Sequence, residues 1–146
     1  MTTSGPDARP PALLRGARVR DAMHPGVLSC PGETSVRDAA RLMALHHVHC
    51  VVVAHRARPG GARDWGLLSD LDVLTALVDG DEGATAAGRA APDPLTVGAE
   101  EPLARAARRM AEHRASHVLV LATGSGRPAG VLSTLDVAAL AGRADA

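Results

Sequence analysis

Two stretches of this chain place a serine three residues ahead of an aspartate where an apolar, strand-like run gives way to a helix-like one. They are Gly66-Leu67-Leu68-Ser69-Asp70-Leu71-Asp72 and Gly130-Val131-Leu132-Ser133-Thr134-Leu135-Asp136. The chemistry open to such a turn is anion binding. The first N–H groups of a helix have no intrahelical acceptor and sit at the positive end of its dipole, so with a serine hydroxyl they can hold phosphate oxygens. Ser69, Ser133 and Thr134 are the candidate phosphate residues. The same Ser-x-x-Asp spacing is also a capping box with Asp in place of the usual Glu, serving only its own helix. The two uses are compatible, because an aspartate can shift between a helix start and a ligand.

The elements that position these residues are themselves repeated. At an offset of 67 residues Pro25, Leu28, Glu33, Ala39, Ala40, Arg41, Met43, Ala44, His46, Val51 and Val53 meet identical residues, and from Gly66 onward the offset is 64. The lost positions come from the 54–65 loop, which is longer than its partner at 121–129. Length differences of this kind belong in surface loops, which supports the alignment.

Within each repeat the periodicity predicts β-α-β-β-α. Val19 to Met23 reads as a short helical turn before Pro25, and Val27 to Cys30 as an extended piece. Thr34 or Ser35 caps a helix whose buried face is Val36, Ala39, Ala40, Met43 and Ala44. The second copy offers Leu103, Ala106, Ala107, Met110 and Ala111, with Pro102 where a first-turn proline is tolerated. Strands follow at Cys50 to Val53 and Val118 to Leu121. After loops carrying Pro59-Gly60-Gly61 or Gly124-Ser125-Gly126 come strands at Trp65 to Leu68 and Ala129 to Leu132. Closing helices run from Asp70 to Val78 and Thr134 to Ala141. The organisation read from this is a flexible tail at 1–17, a first repeat at 18–79, a linker at 80–85 and a second repeat at 86–142.

Composition narrows the function classes. With 16 Lys+Arg, all of them Arg, against 16 Asp+Glu, the formal net charge is zero, and there is one Trp with no Phe or Tyr. Nucleic-acid binding, which needs a basic face and often stacking aromatics, is not expected. No apolar run approaches the roughly 18 residues of a spanning helix, and Met1 to Arg15 lacks a charged segment followed by an apolar one, so a cytoplasmic protein is expected. An Ala/Val/Leu core buries little area per residue, which favours packing of the two halves and of a second chain. Cys30 and Cys50 are too few for a disulfide framework; they read as buried thiols, with a redox-sensitive pair as the alternative.

Together the phrases and their frame resemble a tandem pair of cystathionine-β-synthase-type (CBS) domains, a Bateman module, over about Val19 to Ala141. Val19-Arg20-Asp21-Ala22-Met23 resembles the opening helix of that family, Ser29 and Thr96 its polar residue after the first strand, and the Gly-h-h-Ser-x-x-Asp phrases its nucleotide signature, with Ser for the commoner Thr. The resemblance implies a mixed α/β (α+β) fold of two pseudo-twofold-related repeats packed through their sheets. It further implies a cleft between repeats for adenosine-type ligands such as AMP, ADP, ATP or S-adenosylmethionine, and pairing into a disc-like homodimer. An Asp carboxylate accepting from two adjacent hydroxyls suits a ribose, so Asp72 and Asp136 take the ribose role. Ser29, Val48, Thr96 and Ala115 would border the adenine, and Gly66 and Gly130 would keep backbone close to the ligand. Without Phe or Tyr, the base would be held by aliphatic faces and backbone; Trp65 is better suited to interface packing.

The two grips are unequal in sequence. Asp70 adds a negative charge at the first, where Thr134 stands at the second, and Leu71 and Leu135 occupy a position that is commonly basic or polar in the family. Neutralisation would come from Arg20, Arg89, Arg114 or Arg127, and the second grip is expected to be the better one, preferring AMP-like ligands to ATP. His46, His47, His49 and Cys50 lack a tetrahedral arrangement, so no metal is assigned. Arg56, Arg58 and Arg63 read as solvated surface. No nucleophile is paired with a base and no phosphate-loop lysine is present. The reading is therefore a regulatory binding module, not an enzyme, acting on a separate effector protein. The alternative is a structural or protein-interaction dimer with vestigial pockets.

Overall fold

The computed structural model describes residues 14–54, 65–81, 83–91 and 93–143. Most of the expected tail, and the loop arginines with Pro59-Gly60-Gly61, lie outside these residues. The first elements in chain order are α1 (Val19–Ala22), β1 (His24–Pro25), β2 (Ser29–Pro31), α2 (Val36–His46), β3 (Cys50–Ala54), β4 (Trp65–Ser69) and α3 (Asp70–Val78). They are followed by α4 (Ala86–Arg89), β5 (Thr96–Gly98), α5 (Leu103–His113), β6 (His117–Leu121), β7 (Pro128–Ser133) and α6 (Thr134–Arg143). The fold is mixed α/β, with one three-stranded and one four-stranded sheet.

Two compact units form, one over Gly26–Leu95 and the other over Thr96–Ala146 together with the segment up to Pro25. In the first, β3 is central, parallel to β2 with Ser29 opposite Val52 and antiparallel to β4 with Val51 opposite Leu68. The parallel step needs a crossover, which α2 provides. The β-branched run Val51-Val52-Val53 is fully buried, as a central strand requires, and Val36, Ala39 and Met43 of α2 join Val51, Val53 and Leu68 in one apolar cluster.

The second unit repeats the plan. Val97 of β5 lies opposite Val120 of β6 in parallel, and Val118 opposite Leu132 of β7 in antiparallel sense. From α5, Leu103, Ala106 and Met110 are buried. Ala44 and Ala111, expected on the buried faces, are exposed. Each lies eight residues beyond the start of its stripe, a rotation of roughly 80° past the contact line.

Helix ends follow local chemistry. Ser35 caps α2, its Oγ accepting from the Asp38 N–H at 3.0 Å. Pro102 sits at the N-cap of α5, one position earlier than a first-turn proline. Both long helices stop at a left-handed residue that carries a side chain, His47 (φ 54) and Arg114 (φ 50), where glycine is usual.

The opening segments are exchanged between the sequence repeats. The Val19 and Arg20 N–H groups of α1 donate to the Glu101 and Ala99 carbonyls, the Leu103 N–H donates to the Ala17 carbonyl, and β1 adds antiparallel to β7. Reciprocally, the Ala86 and Ala87 N–H groups of α4 donate to the Thr34 and Gly32 carbonyls, and Ala91 bridges to Leu67. Each unit therefore borrows the opening helix of the other repeat.

Both cysteines are buried and neither is in a disulfide. Cys30 lies opposite Val53, three residues along β3 from Cys50. Three strand residues span about 10 Å, well beyond the reach of a disulfide, so the redox pair considered from sequence is excluded by register.

Candidate functional site

In both copies the signature serine ends a strand and caps the next helix, so the phrase fixes a carboxylate at the third helical residue. Around Ser69 the box is closed on itself. Its N–H donates to Asp72 Oδ2 at 2.8 Å, its hydroxyl donates to the same oxygen at 3.0 Å, and the Asp72 N–H donates back to Ser69 Oγ at 3.2 Å. At Ser133 the same two backbone links form, Ser133 N–H to Asp136 Oδ2 at 2.9 Å and Asp136 N–H to Ser133 Oγ at 3.1 Å. The capping use is thus realised in both repeats.

What surrounds the carboxylates differs. Asp72 is half-buried, whereas Asp136 is 7% exposed and is the only buried charged residue among those described. Burying a carboxylate is costly unless it is paired. Asp136 is paired: beyond its Ser133 bond, its Oδ1 lies 2.9 Å from His24 Nδ1, on a side chain that is 81% exposed. The opposite number of His24 in the first repeat is Ala91, which faces Leu67 as His24 faces Val131 and offers no polar group.

The helix-start amides are more committed than the sequence suggests. At α3 the Asp70 N–H donates to the His49 carbonyl at 2.8 Å and the Leu71 N–H to Asp70 Oδ1 at 2.9 Å. With the Asp72 N–H on Ser69, the first turn of α3 has no amide left for an anion. At α6 the Thr134 N–H is likewise taken, by the Ser116 carbonyl at 2.9 Å, while the Leu135 N–H makes no hydrogen bond among the described residues. Thr134 can therefore serve an anion through its hydroxyl and not its amide. Asp70 is further engaged with His49, Nδ1 to Oδ2 at 3.0 Å.

The basic residues divide in the same way. Arg20 pairs with Glu100 at 3.2 Å, and Arg89 forks onto Asp79 at 3.0 Å and Asp81 at 2.9 Å. Asp81 first, and then Asp79, raise the Arg89 guanidinium above its ordinary value by hydrogen bonding to it. Arg114 and Arg127 make no ion pair among the described residues. Arg114 lines a cavity of ≈ 340 Å³ with Ala107, Met110, Ala115, Ser116, Thr134 and others, between α5 and the start of α6. That volume lies within the range of small-ligand sites.

Of the sequence-selected residues, the structure brings Ser69 with Asp72, Ser133 with Asp136, and Ala115 with Thr134. Ser29 is exposed at the start of β2, opposite Val52, and Val48 is half-buried after α2. Thr96 is half-buried at the start of β5, and its carbonyl accepts from Arg109 at 3.0 Å. The expectation that Gly130 keeps backbone close to a ligand is corrected. A Cβ there would run into the His24 carbonyl and approach Met23 Sδ at 3.2 Å, so the glycine makes room for β1. His24 is the residue that sequence reasoning missed. Its position just before Pro25 gave no hint of pairing with a residue more than a hundred positions away. No group of three or more His, Cys, Asp or Glu able to hold a metal occurs among the described residues.

Residues 19–79 and 89–142 match the family model of the CBS domain. Among solved structures, a CBS domain protein of Pyrobaculum aerophilum complexed with AMP is similar at 28% identity and a TM-score of 0.71, over 82% of this chain and 89% of that one. CBSX2 in complex with AMP is 25% identical, with a TM-score of 0.67, over 90% of this chain and 100% of that one. The CBS domain pair of protein MJ0100, with 5′-methylthioadenosine and S-adenosyl-L-methionine, shares the fold at 19% identity and a TM-score of 0.73, over 86% of this chain and 96% of that one. No curated protein matches.

Proposed function

The chain belongs to the CBS domain family, and from that premise we propose that it is a regulatory module that binds an adenosine-type nucleotide and passes the event on as a change of shape or assembly. The observation that carries the reading is the start of α6, where the buried Asp136 carboxylate caps the helix and Thr134, two residues before it, borders a cavity with Arg114 and Ser116. In this reading Asp136 accepts the ribose hydroxyls, the hydroxyls of Ser133 and Thr134 and the Arg114 guanidinium meet phosphate, and Thr96 and Ala115 border the adenine. Two structural neighbours at 28% and 25% identity were solved with AMP, which supports the same ligand class here. AMP fits better than ATP, because one cation among the polar groups at the cavity is suited to one phosphate.

The corresponding set, Asp72 with Ser69, Ser29 and Val48, forms the weaker grip. Asp70 and the self-satisfied cap there favour a structural use. Residues 18–79 and 86–142 act as the two repeats, joined by 80–85.

The chain works by binding and not by catalysis, with a separate protein as its effector. Its two cysteines, neither of them in a disulfide, suit the cytoplasm, and no helix among the described residues is long and apolar enough to cross a membrane. A second copy of the chain is its partner. Leu71, Leu74 and Val78 of α3, spaced to share one helix face, are 65%, 55% and 78% exposed, an apolar stripe suited to helix packing.

A thermal-shift panel of AMP, ADP, ATP, NAD(H) and S-adenosylmethionine tests the function. AMP should stabilise most, by about 2–3 kcal/mol when present at a hundred times its Kd. No stabilisation by any of them at millimolar concentration would contradict the reading and favour an interaction protein.

A further inference from the structure

We infer that two copies of the chain pair head to tail, α3 of each lying on α5 and α6 of the other. This rests on the reading above that a second copy is the partner, and names the surfaces that meet. Leu71, Leu74, Leu77 and Val78 leave α3 with an apolar ridge, each of them half exposed or more. Leu45 of α2, which packs against α3, is exposed as well. An uncovered row of this kind marks a contact surface. The duplication shows what it fits, because the helix exists twice. At the offset of 64, Leu71 keeps a leucine in Leu135, whereas Leu74, Leu77 and Val78 become Ala138, Ala141 and Gly142. Ala138 is exposed, and Gly142 has open space where a Cβ would stand. The same three positions thus raise one copy of the helix and lower the other, as a ridge and its seat require.

Beside the lowered face lies the cavity between α5 and the start of α6. Its Ala107, Met110, Ala111 and Val137 are apolar, and the nucleotide reading uses none of them. Ala107 lies two turns before Arg114, about 10 Å along the axis of α5, so a leucine from the ridge and a phosphate at Arg114 occupy different ends. Charge favours this seat over a second ridge. α3 carries Asp70 and Asp72 and no basic residue, with Asp79 at its end. α5 carries Arg105, Arg108 and Arg109 against Glu112, and Arg114 follows it. Two α3 helices face to face would bring like charges together, whereas α3 on α5 brings opposite ones. A contact between unlike surfaces closes as a pair when each copy gives its ridge and receives the other's.

Sedimentation equilibrium of the full chain tests this, with circular dichroism to confirm that each variant is folded. The native chain should be a pair. Leu74→Glu and, separately, Ala138→Arg change exposed side chains and should each raise the dissociation constant of the pair by about tenfold or more, since either puts a charge into the contact. Mixed in equal amounts, the two variants should pair with each other more tightly than either does with itself, because one of their two contacts is then native on both sides. Val78→Glu and Gly142→Arg repeat the test where a first variant does not fold. If ridge met ridge instead, Leu74→Glu would part the chains, Ala138→Arg would leave them paired, and mixing would gain nothing. That pattern, a pair that neither variant weakens, or two weakened variants that mixing does not restore overturns head-to-tail pairing and leaves a second copy as the partner. A native chain that stays single at every concentration overturns both. The nucleotide reading is tested apart from this, by AMP titration.

Discussion

Asp72 and Asp136 occupy the same place in two copies of one phrase, and each caps its own helix through the same pair of backbone bonds. Their surroundings are nevertheless of opposite character. Asp72 is half-buried and its first turn is closed by its own hydroxyl partner and by Asp70, whereas Asp136 is buried, paired with His24, and preceded by Leu135, whose N–H makes no hydrogen bond among the described residues. Four exchanges make the difference: Ala91 for His24, Asp70 for Thr134, His47 for Arg114, and His49 for Ser116. A short motif dictates a cap; the neighbours decide whether anything remains for a ligand.

The largest expected effect comes from forcing β1 off the second grip. Gly130→Ala puts a methyl into the His24 carbonyl and should lower stability by about 2–3 kcal/mol in urea denaturation. Gly98→Ala meets only the flexible Glu101 side chain at 3.5 Å and should change stability by less than about 1 kcal/mol. Equal losses would break the claim that β1 is packed on Gly130.

Exchanging the charges between the grips comes next. Thr134→Asp brings a carboxylate to the second helix start and should weaken AMP about tenfold by calorimetry. Asp70→Thr should not weaken AMP. A smaller and more symmetric effect is expected from the caps. Ser69→Ala and Ser133→Ala should each lose about 1 kcal/mol of stability, since both hydroxyls accept from a first-turn amide. Only Ser133→Ala should also weaken AMP, by about three- to tenfold.

The smallest effect concerns the thiols. Burial, more than the opposing Thr34 hydrogen bond, pushes the Cys30 thiol above its ordinary value. Since the thiolate is the reactive form, Cys30 should alkylate more slowly than a free cysteine near pH 8 and quickly once the chain is unfolded. Mild oxidation should leave the mass of the chain free of an internal disulfide. A Cys30–Cys50 crosslink would contradict the strand register.

Much of this was legible in the sequence because it is local. Ser35 reads as a cap, Val51 to Val53 as a buried strand, and Val36, Ala39 and Met43 as one buried face, since each depends on spacing within a dozen residues. The duplicated phrase likewise announced its own helix starts. What escaped was long-range. The internal offset aligns Val19 to Met23 with residues 86–90 and so makes it the opening of the first repeat, yet its hydrogen bonds go to Ala99 and Glu101 and the β1 that follows pairs with β7, because duplicated units can exchange equivalent segments without changing sequence. His24 on Asp136 is a consequence of that exchange, and so is the true use of Gly130. Equally hidden was the occupation of the Thr134 amide by the Ser116 carbonyl, a contact set by where the α5–β6 turn passes.

The proposed function places ligand at the second grip. Calorimetric titration of AMP into Asp136→Ala, beside the native chain and Asp72→Ala, measures this directly, with thermal melts to confirm that both variants are folded. Removing a charged acceptor of two hydroxyls should weaken AMP by tenfold or more in Asp136→Ala, on the order of 1.5–3 kcal/mol, and by less than about twofold in Asp72→Ala. Unchanged AMP affinity in a folded Asp136→Ala variant, or an equal loss in both, would contradict it.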